Sequence, residues 1–314
     1  MNTKDIDVMV ISPLPEKMLA ELGELFTLHN YWLASDKASF LEKTAKSIKG
    51  VVTRSHLGID AQMINSLPSL EVISIFGVGL DAVDLNAARE RNIIVAHTPR
   101  VLSECVADTA LGLMLNVSRR FSLADRFSRS GDWLKAPFPA ATRMHGKICG
   151  IAGLGHVGHA VATRAQAFGM PIHYFDPYLQ DDHFKRYPTL TELARSCDFL
   201  VLTLPGGADT FRIVDSNVLN ALGNTGFLIN VARGSIVDTE ALIAALKNNV
   251  ISGAGLDVFE DEPNIPAPLC QFDNVVLLPH LASNTVETRQ EMADLAVNNI
   301  RGYFESGEVL TPAR

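Results

Sequence analysis

Residues 147–158 read KICGIAGLGHVG, a short apolar run that passes directly into the glycine pattern GxGxxG. Apolar side chains then recur at helical spacing until Gly169, which is a stop signal for a helix. The next apolar run, PIHYFD, ends at Asp176, roughly 20 residues beyond the first glycine. A strand, a glycine turn, a helix and a second strand with a terminal acid form the fingerprint of a dinucleotide-binding βαβ unit. This stretch therefore predicts a parallel sheet flanked by helices.

The same alternation of strand-like and helical patterns extends in both directions from this unit. Upstream the apolar runs are VMVI, GVVTRS, LEVISIFG and IIVAHT, and downstream they are DFLVLTLP, GFLINVA, ISGAGLDV and NVVLLP. A long amphipathic segment over about 103–130 is a candidate spine between the two series, and a final helix-like segment over about 285–304 is predicted to cross back onto the first sheet. The pattern predicts an α/β fold with two doubly wound domains, a Rossmann domain formed by 100–286 and a flavodoxin-like domain formed by 1–99 and 287–314.

Composition and charge narrow the functional classes. The chain has 314 residues, of which 47% are hydrophobic and 20% charged, as in an ordinary globular protein. Its formal net charge of −8 argues against nucleic-acid or anionic-membrane partners, since both need a basic surface, and is compatible with a small anionic substrate. The start, MNTKDIDVMVIS, lacks the basic and long apolar regions of a signal peptide, which predicts a cytoplasmic location.

The cysteine and histidine spacing does not indicate a metal site. The four cysteines are widely separated and contain no CxxC pair, so each is expected to be a small core residue rather than part of a disulfide framework or a zinc site. His156 and His159 have an i, i+3 spacing, but no further ligand type accompanies them. The cysteines are Cys105, Cys149, Cys197 and Cys270.

The glycine turn is predicted to hold a pyrophosphate. Glycines allow a tight turn and let the N–H groups at the helix N-terminus approach negative charge. Asp176 would accept hydrogen bonds from ribose hydroxyls, whereas a 2′-phosphate would meet its like charge, so NAD is predicted over NADP as the coenzyme. The alternative interpretations are that the glycines form only a plain strand-to-helix turn, and that Asp176 is only a strand-terminal acid in the turn DPY. The predicted phosphate-binding residues are Gly153, Leu154, Gly155, His156, Val157 and Gly158.

Three polar residues follow later strands of the second series. Arg233 comes directly after GFLINVA, Glu262 lies in EDEP, and His280 follows NVVLLP. In isolation each has an ordinary alternative: a solvated loop arginine, an acidic turn and a histidine at a strand end. Together they suit the reduction of a 2-keto acid by NADH, which needs a cation for the carboxylate and carbonyl and a proton donor for the oxygen that gains charge. We therefore predict that Arg233 binds the substrate and that Glu262 orients and charges His280.

These motifs and several others resemble the D-isomer-specific 2-hydroxyacid dehydrogenases over nearly the whole chain. In the family's order they are GVGLDAVDL, VLSECVADTALGLML, GLGHVG, INVARGSIVD, GAGLDVFEDEP and LLPHLAS. The resemblance implies that Arg233, Glu262 and His280 are the catalytic arginine, the glutamate partner and the acid/base histidine. It places Asp257 beside the nicotinamide amide. It also implies D-configured products, coenzyme binding by the Rossmann domain, substrate binding by the other domain, and a homodimer formed through the coenzyme domain.

Further residues are expected to contact the substrate or the coenzyme. The turn Gly77-Val78-Gly79 offers backbone N–H groups for a substrate carboxylate, and Arg54, after GVVT, offers a second cation. The alternative interpretations are that the glycine-containing turn is only a tight turn at the end of a strand, and that Arg54 is only a solvated surface arginine. The expected substrate contacts are Arg54, Val78, Gly79, Arg233 and His280, and the expected coenzyme contacts beyond the glycine turn and Asp176 are Thr203, Pro205, Val231, Ala232, Arg233, Asp257 and His280.

The stretch SGDWLKAPFPAATRMHGKICGIAGLG most resembles the glyoxylate and hydroxypyruvate reductase branch, in which a tryptophan near Trp133 reaches the active site of the partner subunit. The chain departs from that branch at Asp176, where many such reductases carry small or basic residues for NADPH. An NADH-sensing protein similar to dehydrogenase-like corepressors is an alternative on the same scaffold, and so is a 3-phosphoglycerate dehydrogenase-like enzyme. Formate dehydrogenases fit less well, because a neutral residue replaces the glutamate found here as Glu262.

Overall fold

A computed structural model of the chain describes residues 3–313. The chain divides into two compact units. One is formed by the segment up to Leu102 together with the segment from Val286 onward, and the other by Ser103–Thr285. The sequence-based boundaries, after 99 and after 286, and the assignment of substrate and coenzyme to the two domains stay predictions.

The first unit is built on a five-stranded parallel sheet. Its strands are β1 (Asp7–Val10), β2 (Thr27–Asn30), β3 (Ile48–Arg54), β4 (Val72–Phe76) and β5 (Ile94–Ala96). Its helices are α1 (Glu16–Leu25), α2 (Lys37–Thr44), α3 (Ala61–Ser66), α4 (Leu85–Glu90) and the C-terminal helix (Val286–Ser306). The strand order β2-β1-β3-β4-β5 is the 2-1-3-4-5 order of flavodoxin-like sheets, as predicted.

Apolar clusters cover both faces of this sheet. On one face Val8 and Val52 pack with α1 and with Ile300 of the C-terminal helix. On the other face Val51 and Ile73 pack with α3 and α4. The C-terminal helix therefore packs on the first sheet, which confirms the predicted crossing.

The sequence does not predict β2 or α2. Strand β2 is the outer strand of the sheet, reads TLHN and has no buried residue. Helix α2 also buries no residue, and its N-cap is Asp36, whose carboxylate accepts a hydrogen bond from Ser39 N at 3.0 Å. Elements without a buried apolar face lack the hydrophobic periodicity by which helices and strands are detected in a sequence.

The second unit is built on a seven-stranded parallel sheet. Its strands are β6 (Cys149–Ala152), β7 (Ile172–Phe175), β8 (Lys185–Arg186), β9 (Phe199–Leu202), β10 (Phe227–Asn230), β11 (Gly253–Leu256) and β12 (Val275–Leu277). Its helices are α5 (Ser103–Arg119), α6 (Phe121–Arg129), α7 (His156–Ala167), α8 (Leu190–Ser196), α9 (Ser216–Leu222) and α10 (Thr239–Lys247). The order β8-β7-β6-β9-β10-β11-β12 follows the Rossmann order 3-2-1-4-5-6 with one added strand, and the predicted fold class is confirmed.

The long amphipathic segment predicted over 103–130 contains two helices, α5 and α6. Arg120 between them has a left-handed backbone with φ 58°. Asn116 Oδ1 accepts a hydrogen bond from Ser122 N at 2.9 Å and so satisfies a backbone donor in the first turn of α6. The local side-chain bond and the left-handed residue together end one helix and start the next.

The cysteines are free thiols, and not all of them lie in the core. Cys149 and Cys197 are buried as expected, whereas Cys105 is half-buried and Cys270 is exposed. In the turn that holds Cys270, the preceding Leu269 takes the buried position, so the cysteine points to solvent. Within residues 3–313, no helix has both the length and the apolar character needed to cross a membrane.

Candidate active site

The glycine turn between β6 and α7 is formed by close backbone approaches that only glycine allows. Gly153 has φ +94°, and a Cβ there would lie 2.9 Å from Leu204 N. A Cβ on Gly158 would lie 2.2 Å from Gly153 O, so this glycine lets α7 pack against the turn. At Gly155 a Cβ would meet no atom within 4 Å, so that face of the turn is open. A tight turn with an open face at a helix N-terminus fits the pyrophosphate of a dinucleotide.

Asp176 follows β7 and is hydrogen-bonded to the glycine turn. Its Oδ2 accepts from Leu154 N at 2.9 Å, and its Oδ1 accepts from the backbone N–H groups of Tyr178 and Leu179, both at 2.9 Å. A carboxylate offers about four lone pairs, so three backbone donors leave room for one ribose hydroxyl. The structure thus places Asp176 beside the glycine turn. Its contact with a ribose stays a prediction.

Thr203 and Pro205, which follow β9, lie on the other side of the glycine turn. Thr203 Oγ1 donates to Gly153 O at 2.5 Å, and Thr203 N donates to Ala152 O at 2.9 Å. Pro205 O accepts from Thr210 Oγ1 at 2.7 Å, which holds the loop that follows. These bonds fix the position of the glycine turn from β9, the neighbouring strand.

His280 and Glu262 form a short side-chain pair in the candidate site. His280 Nδ1 lies 2.6 Å from Glu262 Oε2, while Glu262 Oε1 accepts from Phe259 N at 3.0 Å. Burial raises the pKa of Glu262, but the hydrogen bonds from His280 and Phe259 N, and the charges of His280 and Arg233, outweigh it and hold the pKa below its ordinary value. The pair leaves the Nε2 edge of the imidazole directed away from the carboxylate.

Asp257 holds the backbone on both sides of the histidine. His280 N donates to Asp257 O at 2.9 Å, and the buried Asp257 carboxylate accepts from Leu281 N at 2.8 Å and Ala282 N at 3.0 Å. Burial raises the pKa of Asp257, although the two N–H donors oppose that shift. These bonds hold His280 in a left-handed backbone conformation with φ 51°. The proximity of Asp257 to a nicotinamide stays a prediction.

The Arg233 loop is shaped by Asn230, the last residue of β10. Asn230 Oδ1 accepts from Ala232 N at 3.0 Å, and Asn230 Nδ2 donates to Arg233 O at 2.9 Å. A Cβ on the next residue, Gly234, would lie 1.9 Å from Phe259 C, so only glycine lets this loop contact the one that carries Glu262. The charge of Arg233 contributes to the low pKa of Glu262. The structure thus brings Arg233, Glu262 and His280 together in one unit.

A clamp that the sequence analysis missed joins the same loops. Arg212 Nη2 donates to Glu260 Oε1 at 2.9 Å, and Arg212 N donates to Ser235 O at 2.8 Å. Thr239 Oγ1 donates to the other Glu260 oxygen at 3.3 Å. We call these interactions of Arg212 and Glu260 the loop clamp. The acidic run FEDEP contains Glu260, but no spacing in the sequence connects it to an arginine 48 residues earlier.

The first unit holds the predicted substrate residues Arg54, Val78 and Gly79. In the sheet Arg54 pairs with Phe76, so the arginine and the turn after β4 lie at the same sheet edge. Burial lowers the pKa of Arg54, and its Nε is buried without a hydrogen-bond partner within residues 3–313. Gly77 N already donates to Thr98 Oγ1 at 3.1 Å, which narrows the prediction to the N–H groups of Val78 and Gly79.

Two other predicted features lie on the surface of the second unit. Trp133 and Leu134 are 71% and 95% exposed in a short turn after α6. His159 lies 3.1 Å from Asp181 Oδ2 through Nε2 and 3.0 Å from Gly155 O through Nδ1. His159 therefore has hydrogen-bond partners on both ring nitrogens.

Comparison with known proteins gives one family match within the second unit and several matches over nearly the whole chain. Residues 111–282 match the family model described as D-isomer specific 2-hydroxyacid dehydrogenase, NAD binding domain. The chain is 45% identical to glyoxylate/hydroxypyruvate reductase A of Arabidopsis thaliana over 98% of this chain and 99% of that protein. It is 44% identical to hydroxyphenylpyruvate reductase of Plectranthus scutellarioides over 98% of each chain. Among solved structures, an NADPH-dependent glyoxylate/hydroxypyruvate reductase of Sinorhizobium meliloti in complex with NADP and malonate has a TM-score of 0.91, at 40% identity over 98% of this chain and 97% of that one.

Proposed function

Because the chain belongs to the D-isomer-specific 2-hydroxyacid dehydrogenase family and to its glyoxylate/hydroxypyruvate reductase branch, we propose that it reduces glyoxylate, hydroxypyruvate or a similar small 2-keto acid. The proposed catalytic residues are Arg233, Glu262 and His280. The protein is an NAD(P)-dependent oxidoreductase of 2-hydroxy acids. The specific keto acid, the roles of individual residues and the preferred coenzyme are parts of the proposal. Relatives of nearly equal identity carry the names of different reductases, so identity alone does not select the substrate.

The proposed proton donor is His280. When bound, a reduced nicotinamide supplies the hydride that adds to the carbonyl carbon of the substrate. His280 donates a proton from Nε2 to the carbonyl oxygen as negative charge develops there, and this completes the hydroxyl group. Glu262 stabilises the imidazolium and fixes its orientation through the 2.6 Å contact at Nδ1. That contact is the single observation that carries the assignment.

Arg233 supplies the positive charge in the second unit. Its guanidinium binds the substrate carboxylate and polarises the carbonyl, since a planar fork of N–H donors suits two carboxylate oxygens. The Asn230 hydrogen bonds fix the backbone on both sides of this side chain. In the first unit we assign a role in carboxylate binding to Arg54 and to the N–H groups of Val78 and Gly79. The buried Arg54 Nε, which lacks a partner among the described residues, supports that assignment.

The coenzyme is proposed to be NADH in preference to NADPH. The glycine turn would hold the pyrophosphate, and Asp176 would accept a ribose hydroxyl with the lone pair that its three backbone donors leave. The remaining proposed coenzyme contacts are Thr203, Pro205, Val231, Ala232, Arg233, Asp257 and His280.

The protein is further proposed to be a cytoplasmic homodimer that forms through its second unit. The exposed Trp133 and Leu134 support this assembly, because they are adjacent large apolar side chains and a contact with a second copy would remove their apolar surface from water. Light scattering of the native protein and of Trp133→Ala tests it, and a monomer at micromolar concentration would contradict it.

The proposed reaction is tested with a panel of 2-keto acids against NADH and NADPH. The panel includes glyoxylate, hydroxypyruvate, hydroxyphenylpyruvate and 3-phosphohydroxypyruvate. We expect turnover of the small acids, and loss of turnover in Arg233→Ala and His280→Ala. A preference for the phosphorylated acid would instead indicate a 3-phosphoglycerate dehydrogenase-like enzyme. Tight NADH binding without turnover of any acid would indicate a coenzyme sensor.

A further inference from the structure

Arg186 lies beside Asp176 at the carboxyl edge of the second sheet. It ends the two-residue strand β8 and pairs with Tyr174 of β7, two residues before Asp176. Its Nη2 donates to the backbone carbonyl of Asp176 at 2.8 Å, which holds the guanidinium at this edge. The side chain is otherwise exposed, so further N–H donors of the guanidinium face solvent.

The carboxylate of Asp176 is already surrounded by donors. Three backbone N–H groups, from Leu154, Tyr178 and Leu179, point at its two oxygens. These dipoles and the nearby guanidinium offset part of its negative charge. An additional anion next to Asp176 would therefore meet less repulsion than beside an isolated carboxylate.

We propose that Arg186 is a specificity-determining residue that binds the 2′-phosphate of a phosphorylated coenzyme, so that the site accepts NADPH as well as NADH. The inference rests on the proposed coenzyme site, in which Asp176 faces the adenosine ribose. In dinucleotide-binding folds an acid at this position reads the 2′-hydroxyl, and a nearby arginine accommodates the 2′-phosphate. This chain has both residues within one short segment, and its arginine comes from the strand next to the acid.

The neighbouring Lys185 provides a matched control. Successive side chains of a strand point to opposite faces. Lys185 Nζ accordingly lies 5.1 Å from the centre of the Tyr187 ring rather than at Asp176. Lys185→Gln removes the same charge from the adjacent residue, so it reports any general electrostatic effect on a charged coenzyme.

The test is calorimetric titration of NAD⁺ and NADP⁺ into the native protein, Arg186→Gln and Lys185→Gln. NAD⁺ and NADP⁺ differ only in the 2′-phosphate. We expect Arg186→Gln to weaken NADP⁺ binding by roughly tenfold, as for the loss of one hydrogen bond to a charged group, and to change NAD⁺ binding less than about twofold. Lys185→Gln should leave the ratio of the two dissociation constants as it is in the native protein. The same ratio should appear in kcat/KM for NADPH against NADH.

Three results would overturn the inference. They are an equal loss of affinity for both coenzymes, unchanged NADP⁺ binding in Arg186→Gln, and absence of saturable NADP⁺ binding to the native protein. An equal loss would show that Arg186 only supports the backbone after β7. Because binding is measured without a keto acid, a failure of the proposed reaction would leave this test intact, and the two failures can be told apart.

Discussion

The imidazole Nδ1 of His280 and the carboxylate Oε2 of Glu262 lie 2.6 Å apart, although 18 residues separate them in the chain. Each partner is also held by backbone bonds, His280 through Asp257 and Glu262 through Phe259 N. The side chains are 39% and 29% exposed, so solvent screens the pair only in part. A fixed carboxylate on one ring nitrogen leaves the other nitrogen available for the proton transfer that we propose.

Replacing Glu262 with Gln should lower activity. The amide removes the negative charge next to Nδ1 of His280, so proton donation from Nε2 to the substrate should be slower. The value of kcat/KM at neutral pH should fall at least about tenfold. Steady-state kinetics with a 2-keto acid measure the effect. Asp261→Asn, whose native side chain bonds to Asn264 instead, is the control and should retain the native kcat/KM.

The same pair should make stability depend on pH. The folded-state pKa of Glu262 lies below its ordinary value of 4.5, so its ionised form stabilises the folded protein above that value. This contribution is lost as the pH falls through the lowered pKa. The Tm difference between the native protein and Glu262→Gln should therefore be largest near neutral pH and shrink as the pH falls below 4.5. A difference that grows with acidity would contradict the assignment of a lowered pKa.

Gly234→Ala should disrupt the contact between two loops of the candidate active site. The new Cβ would lie 1.9 Å from Phe259 C and 2.2 Å from Phe259 O, both backbone atoms that cannot turn aside. We expect a loss of roughly 2–4 kcal/mol in unfolding free energy together with most of the activity. Gly112→Ala in α5 is the matched control, because a Cβ there meets no atom within 4 Å. That change should stabilise the protein by about 0.5–1 kcal/mol, and urea unfolding measures both variants.

The parts of the candidate site that could be predicted from the sequence are those whose residue types and spacing lie within one short stretch of the chain. The glycine turn and Asp176 follow from spacing within a single βαβ unit. Arg233 and His280 follow strands of the same sheet, and parallel strands bring their carboxyl ends to one edge. The α/β alternation predicts the two sheets for the same reason, since each buried strand has its own apolar run.

The contacts that could not be predicted depend on the distance between loops far apart in the chain. Nothing in the sequence shows that Gly234 touches Phe259, or that Arg212 reaches Glu260. Likewise, an arginine gives no sign in a sequence that it will adopt the left-handed backbone found at Arg120. Patterns of hydrophobicity in a sequence indicate which residues are buried. They do not indicate polar contacts between distant loops, close backbone approaches or left-handed residues.

The loop clamp should contribute to catalysis more than to stability. The side chains of Arg212 and Glu260 are 45% and 29% exposed, and exposed ion pairs contribute little to folding because solvent screens them. The clamp nevertheless joins the loops that carry Arg233 and Glu262, and small shifts of the proposed catalytic groups should reduce the rate strongly. Arg212→Met should therefore lower kcat by roughly three- to tenfold while leaving the urea midpoint of unfolding close to the native value. Arg212→Lys, which keeps the charge, should recover much of the lost kcat. If Arg212→Met lowers stability and leaves the kcat of the folded fraction unchanged, the clamp supports the fold and does not position the catalytic residues.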